Sequence, residues 1–471
     1  MIDSEVNESL VTAETSQGME FRAGILRLTR HLVVFEVYNP VFVLRLSEVL
    51  NHFKILAAGR PVYSGRAVVN NLINTGLVVV CEATLGDSWF DVDFPAPSEL
   101  APKMREEFDR FIQATQKALR IRPEFKLVIA DLQTLLMDLR AWLEQVELGV
   151  RSQPAGDRLQ IERETILGLQ EPIVGTVLPL LEKFEMTAQE VESEARPAHM
   201  NYLKRQIHPF VLCAPFIHRT FYKPLGYAGD YEMVNMMVRD PYEGGSIFAK
   251  ILNRIFLSTP PVEAHRDRLV YLIQLLRGET LRSLQRGRPT RIFNLGCGPA
   301  KEIQDFLADH DVCRDAHFTL LDFNDETLAY TSKVLGEIKR RHDRPTQIQL
   351  AKKSVNQLIK EASKPLGSSA KYDLVYCAGL FDYLPDQVCK RLMNIFYDLL
   401  APGGLLVATN VDDSNPSKNW MEYALDWHLV YRTGRQFATL APEGARPDLV
   451  KVRAVGTGVN IFIEVRKPEN G

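Results

Sequence analysis

The spacing of apolar and polar residues changes character several times along the 471-residue chain. Residues 19–94 contain short runs of β-branched and apolar residues, separated by Asn, Gly and Pro, which is typical of a small antiparallel barrel or sandwich. The runs are residues 24–37, 41–46, 66–69 and 77–83. We therefore predict a small β-barrel domain over residues 1–96.

Apolar residues recur at helical rather than alternating spacing after residue 97, as at Leu132, Leu136 and Leu139. A second helical stretch, residues 162–194, contains Pro172, which is expected to interrupt it. We interpret residues 97–200 as a helical connector or dimerisation element. Residues 201–290 form a mostly helical region that we place on the substrate side, as a lid.

Strands and helices alternate from residue 291 onward, which predicts a parallel sheet. The first strand runs into Gly296 and Gly298, and glycines let a backbone turn sharply and approach a ligand closely. The second strand, residues 317–321, ends at Asp322, whose carboxylate can accept both ribose hydroxyls of a nucleoside. The alternative role for Asp322 is a helix cap.

Further motifs follow in a fixed order. They are a short strand at 347–351, the strand YDLVYC at 372–377, the turn APGG before a fifth strand at 405–409, and a hairpin of residues 449–455 and 459–465. Together these motifs resemble those of class I S-adenosylmethionine-dependent methyltransferases. The resemblance covers residues 291–467 and implies a Rossmann-like, seven-stranded α/β domain, residues 291–471, whose last strand is antiparallel.

The resemblance implies S-adenosyl-L-methionine as the cofactor and carries site residues over by position. Ordered from the methionine part to the adenine, the expected cofactor residues are Asn294, Gly296, Gly298, Ala378, Gly379, Leu380, Asp322, Phe323, Ser354 and Val355. Asn294 stands where an acid is usual, and an amide binds the methionine ammonium less strongly than a carboxylate would. A domain that binds the cofactor without catalysis is therefore an alternative.

Two segments offer residues for the methyl acceptor, which the protein must align in line with the sulfonium methyl. Residues 222–233, YKPLGYAGDYEM, are too irregular for a helix interior and indicate a loop that closes over a ligand, or else a packed interdomain joint. In residues 427–432, His428 and Arg432 lie four positions apart, so a helix would place them on one face. A solvated helix face is the alternative there.

A narrower resemblance covers residues 208–471 and depends on the strings KPLGYAGDYEM, NLGCGPAKEI and WHLVYRT. They resemble the bacterial family named for 3-hydroxypalmitic acid methyl ester biosynthesis, which esterifies a long-chain 3-hydroxy fatty acid to make a quorum-sensing signal. The resemblance implies that Tyr222, Tyr227, His428, Tyr431 and Arg432 orient the acceptor. It also implies that Asp230 orders the lid and belongs to the cofactor-binding residues. Arg432 is the expected carboxylate clamp, because its planar fork matches a carboxylate.

Two other functions remain open from the sequence. One is methylation of an amine or a phenol on the same fold, for which a catalytic base is needed. The other is a signalling adaptor that binds S-adenosylmethionine without turnover.

The string NLINTG at residues 71–76 resembles a degraded form of the [DN]xSxxG motif of PilZ domains. Ile73 replaces the serine, and the arginine pair of the RxxxR motif is missing upstream. The resemblance therefore implies a PilZ-like barrel that does not bind cyclic di-GMP. We expect it to serve protein interaction, with the barrel or the helical region forming a homodimer.

Composition narrows the choice of partners. The net charge is −3 and no segment is strongly basic, which argues against nucleic acid. No apolar run reaches bilayer length, and the acidic start MIDSEVNESL is unlike a signal peptide. The six cysteines contain no CxxC pair, so we predict no metal site and reduced thiols. The expected location is the cytoplasm, with a small-molecule partner.

Overall fold

Six amino-terminal strands close into a barrel in the order β1-β2-β3-β6-β5-β4. The computed structural model describes residues 10–38, 44–57, 60–74, 78–86, 121–362 and 371–469. The barrel strands are β1 (Leu10–Glu14), β2 (Glu20–Leu28), β3 (Leu32–Tyr38), β4 (Val49–Ala57), β5 (Arg60–Asn74) and β6 (Val78–Leu85). Alternate side chains fill the interior, with Phe35, Phe53 and Tyr63 fully buried. The predicted barrel is confirmed.

Two details of the barrel differ from the prediction. The run at residues 24–37 divides into β2 and β3, because a turn at residues 29–31 reverses the chain. Strands β1 and β4 were not predicted, and residues 44–46 form a loop rather than a strand. Residues 41–43, 75–77 and 87–96 lie outside the described residues, and the PilZ-like character of the barrel stays a prediction.

Among the residues that the structure describes, seven helices lie between the barrel and the sheet domain and share one apolar core. They are α1 (Pro123–Arg151), α2 (Arg158–Gln189), α3 (Arg196–Val211), α4 (Pro215–Tyr222), α5 (Tyr231–Val238), α6 (Ile247–Phe256) and α7 (Pro260–Leu284). The predicted interruption at Pro172 is wrong, because α2 continues through it. A proline inside a helix costs about 3 kcal/mol. Four apolar side chains of α2 are buried against its neighbours, and each contributes ~1.5–3 kcal/mol, which offsets that cost. These are Ile166, Ile173, Val177 and Phe184.

The carboxy-terminal sheet has seven strands in the order β12-β13-β11-β10-β7-β8-β9. They are β7 (Thr290–Leu295), β8 (Ala316–Asp322), β9 (Gln347–Lys352), β10 (Tyr372–Cys377), β11 (Leu400–Val411), β12 (Val450–Ala454) and β13 (Asn460–Arg466). Strands β7 to β11 pair in parallel, and β13 is antiparallel to β11. The Rossmann-like sheet with an antiparallel last strand is confirmed.

The remaining helices accompany this sheet. They are α8 (Lys301–Asp309), α9 (Asp325–Arg341), α10 (Val355–Ala362), α11 (Asp386–Leu399), α12 (Lys418–Leu425) and α13 (Gly434–Ala438), with 3₁₀ turns at Ser193–Ala195, Asp311–Asp315, Phe381–Tyr383 and Pro447–Leu449. Helix α12 packs into the core of α1–α7, which joins the helical region to the sheet domain. Across the described parts of the chain, no helix has the length and apolarity needed to cross a bilayer.

A buried group of charges lies where the barrel, the helices and the sheet domain meet, and we call it the junction cluster. Its centre is the carboxylate of Asp426, which accepts hydrogen bonds from Lys204 and, at 3.1 Å, from Arg66 of the barrel. Nearby, Lys223 donates to the carbonyl of Leu425 at 2.8 Å. Burial by itself would raise the pKa of Asp426, but the three cations together hold it well below its usual range.

Candidate active site

The glycine loop after β7 has the left-handed backbone that its sequence predicts. Gly296 and Gly298 have φ angles of 73° and 52°, which glycine adopts without steric cost. Ala300 also has a positive φ, 52°, at the position where a third glycine would be less strained by ~1 kcal/mol. A Cβ atom at Gly298 would meet nothing within 4 Å, so the loop leaves open space for a ligand beside it.

Asp322 ends β8 and holds this loop in place. Its Oδ2 accepts a hydrogen bond from the amide of Gly298 at 3.1 Å, and its Oδ1 accepts one from the amide of Asn324 at 3.0 Å. The alternative role as a helix cap is wrong, because Asn324 caps α9 by accepting the amide of Thr327. Burial raises the pKa of Asp322, and the two amides and Arg45 oppose this.

A single cavity of about 1450 Å³, its open mouth included, runs along the carboxyl ends of β7, β8 and β10. Ligands bind at this edge in open α/β sheets. The cavity brings together nine of the eleven predicted cofactor residues, which are Asn294, Gly296, Gly298, Asp322, Phe323, Val355, Ala378, Gly379 and Leu380. Ser354 does not line it, because its hydroxyl accepts the amide of Gln357 at the start of α10 and faces a neighbouring cavity.

Asn294 leaves an acceptor free at the methionine end of the cavity. The residue is buried, and its Oδ1 has no hydrogen-bond partner among the residues that the structure describes. A buried acceptor without a partner is costly, so the site suits a donor such as an ammonium group.

Asp230 does not line this cavity, so its predicted cofactor contact is wrong. Its carboxylate caps α5 through the amide of Met233 at 2.9 Å and pairs with Arg219 at 2.9 Å. It therefore fixes the end of the loop of residues 223–230, which we call the closing loop. Tyr227, Ala228 and Gly229 of this loop line the cavity.

The sequence did not predict Arg268 and His265, two residues of α7 that line the cavity, of which His265 is buried and Arg268 is half-buried. Arg268 donates to Nδ1 of His265 at 2.6 Å, and its Nη1 would lie 3.0 Å from a Cβ atom at Gly379. Within the described ranges, no carboxylate oxygen lies within 4 Å of this guanidinium. An arginine on an ordinary helix carries no motif, so only the fold could reveal it.

His265 is uncharged in this arrangement. Burial and the neighbouring Arg268 lower its pKa well below the usual value. Because Arg268 donates to Nδ1, the neutral ring carries its proton on Nε2, which has no acceptor among the described residues.

The part of the cavity beyond Gly379 has mostly apolar walls, and we call it the acceptor chamber. Its apolar side chains come from α5, α7, the end of β11, α12 and the segment after α12: Met233, Val234, Met237, Pro261, Val411, Met421, Trp427 and Leu429. Two polar residues face it from the 3₁₀ turn after β10. Burial raises the pKa of Asp382 to about 6 against the opposing effect of Arg268. The hydroxyl of Tyr383 accepts a hydrogen bond from Trp427 at 3.0 Å.

The predicted acceptor residues are only partly brought together. Tyr227 lines the cavity, and its ring lies 5.0 Å from that of Phe323. Tyr222 is half-exposed, packs against His218 and does not line the cavity. His428 is buried and Tyr431 is half-buried, and neither lines the cavity. The structure thus contradicts an acceptor contact for Tyr222, His428 and Tyr431.

The expected helix at residues 427–432 is absent, because this segment runs as a non-helical chain between α12 and α13. Arg432 turns away from the cavity. All five of its N–H groups donate inside the protein, to Asp386, the carbonyls of Phe381 and Leu384, and Asn410. The prediction that Arg432 clamps the acceptor carboxylate is therefore wrong, since no donor is left for a ligand.

The strand order, the glycine loop and the acidic tip of β8 define a class I methyltransferase fold with a nucleoside site. Residues 293–406 match the model of the family described as "Methyltransferase domain". A search of curated proteins returned no match. The domain is an S-adenosylmethionine-dependent methyltransferase, with S-adenosyl-L-methionine as its cofactor.

Solved structures similar to the chain include a possible exported protein from Bordetella parapertussis, with 21% identity over 54% of this chain and 86% of that one and a TM-score of 0.39. Magnesium protoporphyrin IX methyltransferase from Synechocystis with bound S-adenosylhomocysteine has 10% identity over 44% of this chain and 85% of that one, with a TM-score of 0.32. N-methyltransferase NodS from Bradyrhizobium japonicum with the same ligand has 17% identity over 51% of this chain and 98% of that one, with a TM-score of 0.30.

Proposed function

We propose that the protein transfers the methyl group of S-adenosylmethionine to the carboxylate of an acceptor with a long apolar body, a fatty acid or its 3-hydroxy derivative. The product would be a methyl ester. The observation that carries this proposal is the half-buried Arg268, which faces the cavity between the glycine loop and the acceptor chamber without a carboxylate partner in the described residues.

The walls of the acceptor chamber suit an alkyl chain. Three of its side chains are methionines, Met233 and Met237 of α5 and Met421 of α12. Methionine is unbranched and polarizable, so it packs against chains of varying shape. Trp427 adds a large apolar surface, and its only polar atom, Nε1, is already bonded to Tyr383.

A carboxylate acceptor needs no base, because it is already ionised at neutral pH. His265 supports this, since it is neutral and its Nδ1 is taken by Arg268. In the reaction, an acceptor oxygen attacks the methyl carbon while the carbon–sulfur bond breaks and its electron pair stays on sulfur. The carboxylate and the sulfonium both lose their charge, so apolar walls disfavour the charged reactants more than the transition state.

Asp382 favours a second candidate, methylation of a phenol or an amine. Its buried carboxylate faces the chamber with a pKa of about 6, which would suit a general base near neutral pH. However, its Oδ1 is already fixed by the amide of Val411 at 2.7 Å.

Incubation with methyl-labelled cofactor separates these functions. Palmitic acid, 3-hydroxypalmitic acid, a long-chain amine and a long-chain phenol are offered in parallel, and each product is treated with mild base. Labelled methanol from the acids supports the ester proposal, whereas base-stable label in the amine or phenol supports the second candidate. Tight cofactor binding with no turnover of any of the four, or of an organic cell extract, would indicate the adaptor function.

Arg268→Met tests the anchoring residue, with Arg282→Met as the control on an exposed part of the same helix. Loss of a charge-assisted pair of ~1.5–3 kcal/mol should raise the acceptor KM by roughly 10- to 150-fold. If the affinity for S-adenosylhomocysteine falls instead and the acceptor KM is unchanged, Arg268 binds the cofactor's own carboxylate and the acceptor proposal loses its main support.

A further inference from the structure

We propose that the amino-terminal barrel is part of the cofactor site and that its Arg45 contacts the nucleoside half of S-adenosylmethionine. This inference rests on the cofactor and not on the identity of the acceptor. It gives the barrel a direct role in catalysis that its sequence did not suggest.

The barrel loop of residues 44–48, between β3 and β4, is fastened to the segments that surround the cavity. The contacts connect it to the 3₁₀ turn after β10, to the closing loop and to the segment after α12. They are Leu46 N to Tyr383 O at 3.4 Å, Val49 N to Gly226 O at 2.8 Å and Ser47 Oγ to His428 O at 2.8 Å. The loop therefore sits as a wall of the cavity, and both Arg45 and Leu46 line it.

Arg45 carries a buried guanidinium to which the described residues offer no anionic partner. The residue is 5% exposed, and its guanidinium lies 4.2 Å from the ring centroid of Phe323. Its Nε has no hydrogen-bond acceptor among the described residues, and none of their carboxylates comes within 4 Å of it. A contact with an aromatic face offsets only part of the cost of burying a charge, so an acceptor on a ligand would complete the site.

The neighbours of Arg45 identify that ligand as the nucleoside. Phe323 and Asp322 are the residues expected along the adenine and the ribose, and the charge of Arg45 acts on Asp322. Tyr227 of the closing loop packs against Phe323 from a tilted angle. A guanidinium only donates hydrogen bonds, and the nucleoside presents acceptors, namely the ring nitrogens of adenine and the ribose oxygens.

The loop does not depend on the Arg45 side chain for its shape. The backbone amide of Arg45 is bonded to the carboxylate of Glu48 at 3.0 Å, and the other oxygen of Glu48 accepts the amide of Ser16 at 2.9 Å. Substitution of Arg45 should therefore remove the donor and leave the wall in place.

Calorimetry on the full chain tests the proposal with Arg45→Met and Arg45→Lys, and with Arg22→Met on the exposed side of β2 as the control. The two ligands are S-adenosylhomocysteine and adenosine, which lacks the methionine part. We expect Arg45→Met to weaken both by a similar factor, about tenfold or more, while the control changes neither. Binding of both ligands within twofold of the wild type would overturn the proposal. Weaker binding of S-adenosylhomocysteine alone would also overturn it, because Arg45 would then contact the methionine part and not the nucleoside.

Hydrogen exchange of the wild-type protein gives an independent readout that needs no variant. Saturation with S-adenosylhomocysteine should slow exchange of the Leu46 and Val49 amides, together with those of the glycine loop. Protection confined to the glycine loop, with the barrel loop unchanged, would also overturn the proposal.

Discussion

Replacing Asp322 by Asn tests the cofactor site, and its effect can be worked from the contacts. The carboxylate has four acceptor positions, two of which hold the amides of Gly298 and Asn324. The other two remain for the ribose hydroxyls. An asparagine keeps one oxygen, so its NH₂ group must face one of the two backbone N–H groups or the ribose.

The loss is therefore one charge-assisted hydrogen bond to the ribose, ~1.5–3 kcal/mol, which corresponds to a Kd weaker by roughly 10- to 150-fold. One backbone N–H also loses its acceptor, which should lower the free energy of unfolding by ~1–3 kcal/mol. Both effects have the same cause, because Asp322 holds the loop that it shares with the ligand.

Titration calorimetry with S-adenosylhomocysteine and denaturant unfolding measure the two effects. Asp325→Asn is the matched control, since that carboxylate is exposed, stands three residues away and, among the described residues, pairs only with the exposed Lys352. The control should change the Kd and the unfolding free energy little, because exposed pairs contribute ~0–1 kcal/mol. If Asp322→Asn binds the ligand within threefold of the wild type, the ribose contact is refuted.

Three further variants test the cavity wall, Arg432 and the junction cluster. Gly229→Ala should lower kcat/KM about tenfold in steady-state kinetics, because φ is +77° and the added Cβ would lie 2.9 Å from the Tyr383 hydroxyl. The control is Gly168→Ala, where an added Cβ meets nothing within 4 Å. Arg432→Met should lower the free energy of unfolding by ~3–5 kcal/mol, because it leaves buried acceptors unpaired. A variant of unchanged stability with a raised acceptor KM would instead support Arg432 as the carboxylate clamp. Asp426→Asn should be less stable than the wild type by ~3–5 kcal/mol at neutral pH. Because the pKa of Asp426 is depressed in the folded protein, the extra stability of the wild type over Asp426→Asn is present above about pH 4 and shrinks as the pH falls further. Denaturant unfolding at several pH values measures this difference. A stability difference that does not change with pH would contradict the prediction.

The cofactor half of the site was predictable because each of its residues stands at the end of a predicted strand. Gly298 and Asp322 follow β7 and β8, and Gly379 follows β10. Parallel strands bring their carboxyl ends to one edge of the sheet, so motifs that follow successive strands in the sequence lie close together in the fold. Ser354 and Val355 were both predicted, but only Val355 lines the cavity, since the Ser354 hydroxyl is used at the start of α10.

The acceptor half was not predictable to the same degree. Arg432 and Arg268 are both arginines with acidic or polar neighbours in sequence, and nothing local distinguishes a structural from a ligand-facing guanidinium. The difference lies in the acceptors that the described residues supply. Arg432 donates five hydrogen bonds to four oxygen atoms, in residues 381–386 and at Asn410, whereas Arg268 donates one, to His265. His428 was misjudged because helical spacing was applied to a segment that is not a helix.

The sequence by itself determined the alternation of strands and helices, the glycine loop, the acid at Asp322 and the small closed barrel, because each depends on local backbone preferences and on the period of apolar residues. Only the tertiary structure decided that Arg45 of the barrel, Arg268 of α7 and the methionines of α5 and α12 share one cavity. These residues are more than 20 positions from the glycine loop in sequence. They meet because separate elements bury their apolar faces together, and whether a buried arginine faces a ligand depends on the acceptors that this packing leaves within its reach.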